Sequence, residues 1–183
     1  CALPIWAGAR AKAPLMTAYA LLEALGPSDP LAQGEVDEST GLIFATTTGH
    51  IANWEHELPL YVDGSLAVDD FAKVFRDHPL GRSLDGLLRT LAWPGPFQVL
   101  TSACAAGAQA LALARRWIST GKVRRCLVGS TETLTHLTAR GFDCFNLLAK
   151  DLATPFGQNR QGINLSEAAA FLQLEAEPSD RKS

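Results

Sequence analysis

The sequence predicts an α/β fold in which helices cover a sheet of buried strands. Segments with a strand pattern alternate along the chain with segments of helical spacing. The strand segments are short and apolar, as is typical of strands that are covered on both faces. In the helical stretch after Cys104, only Gln109 is polar between Ala105 and Ala114, which predicts a helix in the interior.

The first predicted element is a helix over Ala13–Leu25, with Leu15, Leu21, Leu22 and Leu25 on one side and Gly26-Pro27 as its end. The predicted elements after it are a strand over Gly41–Thr46, a helix around Val68–Phe75, a helix over Leu80–Leu91 that Trp93-Pro94-Gly95-Pro96 breaks, a strand over Phe97–Ser102, a helix over Cys104–Thr120, a strand core at Cys126–Gly129, a helix over Glu132–Arg140 and a last strand over Ala168–Glu175.

Composition narrows the function classes. The 183 residues are 47% hydrophobic and carry 16 Lys and Arg against 19 Asp and Glu, a net charge of −3. This is the composition of one globular domain with a real core, and not that of a disordered chain. A dedicated nucleic-acid binder is usually strongly basic, so no nucleic-acid partner is expected. No apolar run reaches the roughly 18 residues that cross a bilayer, so no membrane span is expected.

The four cysteines point to a reducing compartment. Cys1, Cys104, Cys126 and Cys144 have no CxxC spacing and no His at zinc-finger intervals, so a structural zinc site is not expected. No secretory signal opens the chain. We therefore expect reduced thiols in a cytoplasmic protein. Because the chain starts at Cys1 and stops soon after a predicted strand, we also expect it to be a fragment or one half of a larger fold.

The stretch most informative about chemistry is VLTSACAAGAQAL, residues 99–111. A strand runs into a tight turn of small residues, and a helix begins at Cys104. The unpaired N–H groups and the dipole at a helix N-terminus favour a thiolate, which is the nucleophile for acyl transfer. The Cys104 N–H could also help to hold an oxyanion. The alternative from local physics is that Cys104 is a small, unreactive core residue in an Ala-rich helix.

Here the sequence resembles the β-ketoacyl-acyl carrier protein synthases, the condensing enzymes of the thiolase-like fold. Their nucleophile lies in a Thr-Ala-Cys-Ser-Ser/Ala-Gly motif, which this chain matches with Ser102-Ala103-Cys104-Ala105-Ala106-Gly107. Downstream, Leu127-Val128-Gly129-Ser130 and Gly141-Phe142 match the strand end and the Gly-Phe segment of the family. The block from Pro155-Phe156 to Glu167 matches the family segment that leads into the last strand.

The departures from the family pattern are also informative. Gly157, Gln161 and Ser166 stand where the family has Asp, Asp and Gly, which points to a divergent branch resembling synthases of specialised pathways such as aryl polyene assembly. The family needs two His and a Lys from a second half of the fold, and its opening strand has no counterpart here. His50, His56, His78 and His136 match neither His motif, and we expect them at the surface or in loops.

The resemblance implies a fold and a set of roles. The fold is the N-terminal half of a thiolase-like fold, a mixed sheet between helical layers, over residues 1–183. Cys104 is the implied nucleophile, and Phe142, by default a core aromatic residue, lines the implied acyl pocket. Arg10 and Lys12 match the basic helix start that condensing enzymes present to their acyl carrier protein. Glu167 is implied to be structural, and no metal or redox cofactor is implied.

The implied reaction is a decarboxylative Claisen condensation of a Cys-bound acyl group with malonyl-acyl carrier protein, in fatty acid or polyketide-like synthesis. The alternative is a non-catalytic partner subunit of the chain-length-factor type, which shapes the acyl cavity of a true synthase. A thiolase is disfavoured by the Phe156 to Glu167 block. The family also pairs the strand before the nucleophile across a two-fold axis. We therefore expect a homodimer, or a heterodimer with a synthase-like sister, through Phe97–Ser102.

A basic run covers the last part of the predicted Cys104–Thr120 helix and the residues after it; its members are Arg115, Arg116, Lys122, Arg124 and Arg125. One interpretation is a solvated helix end, where cations suit the C-terminal dipole. The other is attraction to an acidic carrier protein or its phosphopantetheine. The sequence leaves both open.

Overall fold

A computed structural model of the protein describes residues 9–29 and 37–176. The strands in these ranges are β1 (Thr40–Ala45), β2 (Phe97–Leu100), β3 (Arg125–Glu132) and β4 (Ala168–Glu175). The helices are α1 (Ala9–Leu25), α2 (Ile51–Trp54), α3 (Glu57–Val62), α4 (Val68–Phe75), α5 (Asp85–Thr90), α6 (Ala106–Ser119) and α7 (His136–Cys144). Two 3-10 turns, Leu80–Leu84 and Ala103–Ala105, lead directly into α5 and α6.

The four strands form one mixed sheet in the order β2-β1-β3-β4. Strands β2, β1 and β3 are parallel, and β4 runs antiparallel to β3. All six residues of β1 are buried, because helices cover both faces of the sheet at this inner strand. The α/β prediction is therefore confirmed. The carboxyl ends of β1, β2 and β3 lie at one edge of the sheet.

Each face of the sheet has its own core. Leu42 and Phe44 of β1 point to the face covered by α1 and α5, where they pack with Leu21, Leu84 and Phe171. The alternate residues of β1 point to the opposite face and pack under α6, in a cluster of Ile43, Ala45, Ala106, Ala110, Ala114, Trp117, Val123, Cys126 and Val128. The side-chain alternation of a strand thus separates the two cores.

The absence of a side chain at Gly129 of β3 leaves room for the ring of Phe171 on the neighbouring strand β4. Gly129 of β3 lies opposite Phe171 of β4 in the register. A Cβ atom at Gly129 would overlap the Phe171 ring. Phe171 uses this space to stack on Phe44, with ring centroids 6.1 Å apart.

The helix predicted over Cys104–Thr120 differs from its prediction in two ways. The α-helix begins at Ala106, and Cys104 lies in the 3-10 turn before it. The helix is also not buried all round: Ala106, Ala110, Ala114 and Trp117 face the sheet, whereas Gly107, Ala108, Leu111 and Ala112 are exposed. In the part of the chain that the structure describes, the sheet covers one side of α6. Composition alone does not reveal which side that is.

Two further boundaries and the buried face of α1 were predicted wrongly. The helix predicted over Glu132–Arg140 begins at His136, because β3 continues to Glu132 and the Thr135 hydroxyl accepts a bond from the Thr138 N–H as the N-cap. On α1, Met16, Ala20 and Leu21 are buried, while Leu15 and Leu22 are exposed. The predicted helix over Leu80–Leu91 divides into a 3-10 turn and α5.

Across residues 9–29 and 37–176, no helix has the length and apolar character that crossing a membrane requires.

Candidate functional site

Cys104 lies just beyond the carboxyl end of β2, at the edge of the sheet where the parallel strands end. β2 stops at Leu100, and the chain turns through Ser102 and Ala103 into the 3-10 turn that carries the thiol. Ala103 adopts a φ of 46°, the left-handed region that an L-residue rarely occupies. The Cys104 thiol is free and exposed. The predicted strand, turn and helix around the thiol are therefore present, with the helix beginning two residues later.

A carboxylate that the sequence analysis did not single out braces this edge. Glu132, at the end of β3, accepts hydrogen bonds from the backbone N–H groups of Thr47 and Thr48 and from the Thr48 hydroxyl. The loop after β1 is thereby fixed to the end of β3. The sequence predicts Glu132 at the start of a helix, and Thr47 and Thr48 after a strand. They could be connected only once the strands were known to be neighbours.

Buried threonines complete this brace. The Thr17 hydroxyl of α1 donates to Thr131 Oγ1 at 2.8 Å, and the Thr46 hydroxyl donates to the Thr131 carbonyl at 3.2 Å. All three side chains are buried, so these bonds satisfy polar groups away from water. The Gly49 N–H also donates to Thr46 Oγ1 at 3.0 Å. The result is a sheet edge whose loops are held in place beside the Cys104 turn.

Phe142 lies on α7 and is half-buried. Its helix starts at the Thr135 cap, and the Leu137 N–H in its first turn donates to Glu55 Oε2 at 3.1 Å. At the end of α7, the Leu147 N–H donates to the Phe142 carbonyl at 3.1 Å. The first turn of α7 is thus bonded to Glu55, and a local backbone bond closes its last turn. The role of Phe142 in an acyl pocket stays a prediction.

The predicted docking residues belong to α1. The backbone of Arg10 is part of this helix, and its side chain lies outside the described part of the protein. The Lys12 ammonium contacts Glu167 Oε2, while Glu167 Oε1 accepts the Leu134 N–H at 3.0 Å. Glu167 therefore connects α1 to the loop that precedes α7, and its side chain is partly exposed. The resemblance implied a buried structural glutamate near the active site, and that role stays a prediction. Lys12 remains 46% exposed despite this ion pair.

Most of the basic run serves structural contacts. Lys122 lies over the Trp117 ring, 4.0 Å from its centroid, and Arg124 pairs with Asp37 at 3.3 Å. Arg125 pairs with Asp29 at 3.0 Å, and both of these side chains are largely buried. The run therefore fastens the start of β3 and the end of α6 to neighbouring segments. Arg115 and Arg116 are exposed on α6.

Cys126 and the histidines differ from one another in burial and in hydrogen bonding. Cys126 is fully buried, and burial raises the pKa of its thiol to about 12. His56 and His136 are exposed, as predicted, with ring centroids 5.6 Å apart. His78 is half-buried and accepts a hydrogen bond from the Trp54 indole at 3.0 Å. Among the described residues, no group of three or more His, Cys, Asp or Glu side chains is placed to hold a metal ion.

A cavity of about 430 Å³ lies between α1 and α5, on the side of the sheet opposite α6. Thr17, His50, Ser83 and Arg89 are among the residues that line it. Cys104 is not one of them. Its exposed thiol and the small side chains around it therefore make the Cys104 turn, rather than this cavity, the candidate site.

Comparison with known proteins relates this geometry to one family. The family model described as "Beta-ketoacyl synthase, N-terminal domain" matches residues 88–179. Over 83 residues the chain is 36% identical to Nodulation protein E of Rhizobium leguminosarum bv. trifolii, covering 45% of this chain and 21% of that protein. Over 146 residues it is 27% identical to Nodulation protein E of Rhizobium meliloti (strain 1021), covering 76% of this chain and 36% of that protein.

Solved structures agree with this relationship. The ketosynthase ApeO in complex with its chain length factor ApeC, from Xenorhabdus doucetiae, matches with a TM-score of 0.70 at 28% identity, covering 88% of this chain and 41% of that chain. AntDE:AntF, a type II polyketide synthase acyl-carrier protein in complex with its ketosynthase bound to the hexaketide, matches with a TM-score of 0.75 at 19% identity, covering 93% and 44%. The second likeness concerns the fold alone. The predicted thiolase-like fold is confirmed, and the chain spans less than half the length of these relatives.

Proposed function

Since the chain belongs to the beta-ketoacyl synthase family, we propose that it supplies the nucleophile of a β-ketoacyl-acyl carrier protein synthase, as that enzyme's N-terminal half. The observation that carries the proposal is the position of Cys104. Its thiol is exposed in the 3-10 turn directly before α6, next to Ala103 with its left-handed φ, at the carboxyl edge of the parallel strands. This edge is where open α/β sheets place their ligands.

In the proposed reaction, the Cys104 thiolate attacks the carbonyl carbon of an acyl thioester on an acyl carrier protein or coenzyme A. The carrier thiol leaves with a proton, and the acyl group remains on Cys104. Decarboxylation of a malonyl thioester then yields carbon dioxide and a carbanion, which attacks the Cys104 thioester. The β-ketoacyl product forms on the carrier, and the Cys104 thiol is released. The family resemblance assigns the two His and the Lys of this second stage to the other half of the fold.

The proposed partners are those of the family. Acyl carrier protein would approach the start of α1 at Arg10 and Lys12, and the acyl chain would extend past Phe142. The exposed ammonium of Lys12 supports the first of these roles. The proposal includes a cytoplasmic location, which suits the free thiols Cys104, Cys126 and Cys144.

A second candidate function is that of a non-catalytic, chain-length-factor-type partner. The similarity to structures of ketosynthases in complex with a chain length factor favours this reading. Cys104 disfavours it, since such partners usually lack the nucleophilic thiol.

Acylation of Cys104 tests the proposal directly. We expect incubation with an acyl-carrier protein or acyl-coenzyme A to add one acyl group to the peptide that contains Cys104, as detected by mass spectrometry. Cys104→Ala should abolish the adduct and remain folded, because Ala103 and Ala105 already flank the site. Cys144→Ala, which removes another exposed thiol, is the matched control and should keep the adduct. Adducts on Cys144, or none in the presence of a synthase-like sister subunit, would contradict the proposal and favour the partner role.

A further inference from the structure

A side-chain hydrogen bond spans the turn that carries Cys104. Gln109 Nε2 donates to Ser102 Oγ at 3.0 Å, across seven residues of sequence. Ser102 directly precedes the 3-10 turn, and Gln109 lies in the first turn of α6. The two residues therefore stand on either side of Cys104, and their bond closes the chain segment between them into a loop.

This segment has an unfavourable backbone conformation. Ala103 has a φ of 46°, in the left-handed region that non-glycine residues rarely occupy. Conformations of this kind persist only where the surrounding structure holds them from more than one side.

The ends of the segment are anchored, and its middle has few supports. On the strand side, the Thr46 N–H donates to the Leu100 carbonyl at 3.2 Å. On the helix side, Ala106 and Ala110 are buried against the sheet. Between these anchors, the Ala105 N–H donates to the Ser102 carbonyl at 3.0 Å. The Gln109 amide adds a side-chain contact to the same residue, Ser102.

The identity of residue 109 points the same way. Gln109 is the only polar side chain between Ala105 and Ala114, on a helix whose other residues there are small or apolar. The side chain of Gln109 is exposed, and in the structure its amide donates to Ser102 Oγ. The bond that Gln109 makes is directed at the nucleophile turn.

We propose that Gln109 is a positioning residue for Cys104: through Ser102 it holds the strained turn and thereby the direction of the thiol. The proposal rests on the proposed role of Cys104 as the nucleophile. Gln109 acts through Ser102 and is not itself a catalytic residue. Loss of the bond allows the turn to sample other conformations, so the thiol spends less time in its reactive geometry.

The rate of Cys104 alkylation by iodoacetamide at a fixed pH measures this effect. A typical hydrogen bond contributes about 0.5–1.5 kcal/mol, so Gln109→Met and Ser102→Ala should each slow labelling of Cys104 about two- to tenfold. Methionine keeps the length and helix propensity of glutamine but removes the amide. Because both changes break the same bond, the double variant should be no slower than the single ones.

Ser102→Thr separates positioning from packing. Threonine keeps the hydroxyl and is the residue that the family motif has at this place, so it should restore the labelling rate that Ser102→Ala loses. Cys144, exposed on α7, is the internal reference and should react equally fast in all variants.

Three results would overturn the positioning role of Gln109. They are an unchanged alkylation rate of Cys104 in Gln109→Met, equal alkylation rates in Ser102→Thr and Ser102→Ala, or a double variant in which the two reductions in rate multiply. Failure of the nucleophile role has a different signature. Cys104 would then not become acylated by an acyl thioester, while the variants would still differ in alkylation. If Gln109→Met fails to fold, the two Ser102 variants decide the matter.

Discussion

Two cysteines of this chain have opposite environments, although both adjoin α6. Cys126 of β3 is fully buried beneath that helix, whereas Cys104 is exposed at its start. Burial disfavours the charged thiolate, so it raises the pKa of Cys126 from its ordinary 9.0 to about 12. Only a thiolate attacks an electrophile, so the two thiols should differ strongly in reactivity.

We therefore expect iodoacetamide at pH 8 to modify Cys104 first, Cys144 more slowly and Cys126 only after unfolding. Peptide mass mapping at increasing reaction times measures the order. Prior labelling of Cys126 or Cys144 in the native protein would contradict the assignment of Cys104.

The same thiol predicts a pH dependence of stability. Below pH 9, Cys126 is protonated in both the folded and the unfolded chain. Above pH 9 the unfolded chain ionises there and the folded protein does not, so the stability contributed by this group is lost as pH rises toward 12. Urea unfolding midpoints should fall less steeply between pH 9 and pH 11 in Cys126→Ala than in the unmodified protein. Parallel curves would contradict this.

At the scale of an element, α1 carries the proposed carrier-docking function. The ion pair of Lys12 with Glu167 fastens its start to the segment before β4, and the exposed part of the ammonium faces water. A cation at the rim of an interface acts mainly on the rate of association. Lys12→Met should therefore slow association with an acidic acyl carrier protein roughly two- to fivefold at low salt, and less at high salt.

Stopped-flow or surface plasmon resonance measurements of the association rate test this effect. Lys73→Met is a matched control, because Lys73 lies on α4 and also pairs with a carboxylate, that of Asp70 at 2.7 Å. Glu167→Gln should accelerate association, since it removes a competing negative charge while keeping an acceptor for the Leu134 N–H. Equal slowing by Lys12→Met and Lys73→Met would refute docking at Lys12.

At the scale of the whole molecule, β2 is one of the two edge strands of the sheet, the other being β4. Among the described residues β2 pairs with β1 alone, and Phe97 on it is 51% exposed. A hydrophobic edge strand left open to water is prone to aggregate, and pairing with a second subunit closes it. We expect a homodimer, or a heterodimer with a synthase-like sister, that pairs through β2.

Phe97→Lys should shift this dimer toward smaller species, as measured by analytical ultracentrifugation at micromolar concentration. Phe97 is suited to the test because its side chain is exposed, whereas Val99 packs against the core on the α1 side. Leu152→Lys, at an exposed apolar residue outside the sheet, is the control and should leave the dimer intact. A monodisperse monomer of the unmodified protein would rule out the assembly.

The sequence by itself determined the fold class and the order of the strands along the chain, and it pointed to Cys104 as the proposed nucleophile. These features depend on residues that are close together in the sequence, so they can be predicted without knowledge of the fold. They are the apolar runs at β1 and β3, the Pro-Gly-Pro segment before β2 and the Ser102 to Gly107 motif. Helix α4 begins and ends where it was predicted, at Val68 and Phe75, because its apolar spacing is regular.

Only the tertiary structure decided which segments face one another. The sheet covers one side of α6, and the sequence of the helix does not indicate which side. The hydrogen bonds of Glu132 with Thr47 and Thr48, the ion pair of Lys12 with Glu167 and the bond of Gln109 to Ser102 join residues of different elements or loops. Burial and hydrogen bonding depend on neighbours in space. The sequence of a segment shows which of its side chains are apolar enough to be buried. The packing of the sheet against its helices decides which of those side chains are buried in the folded protein.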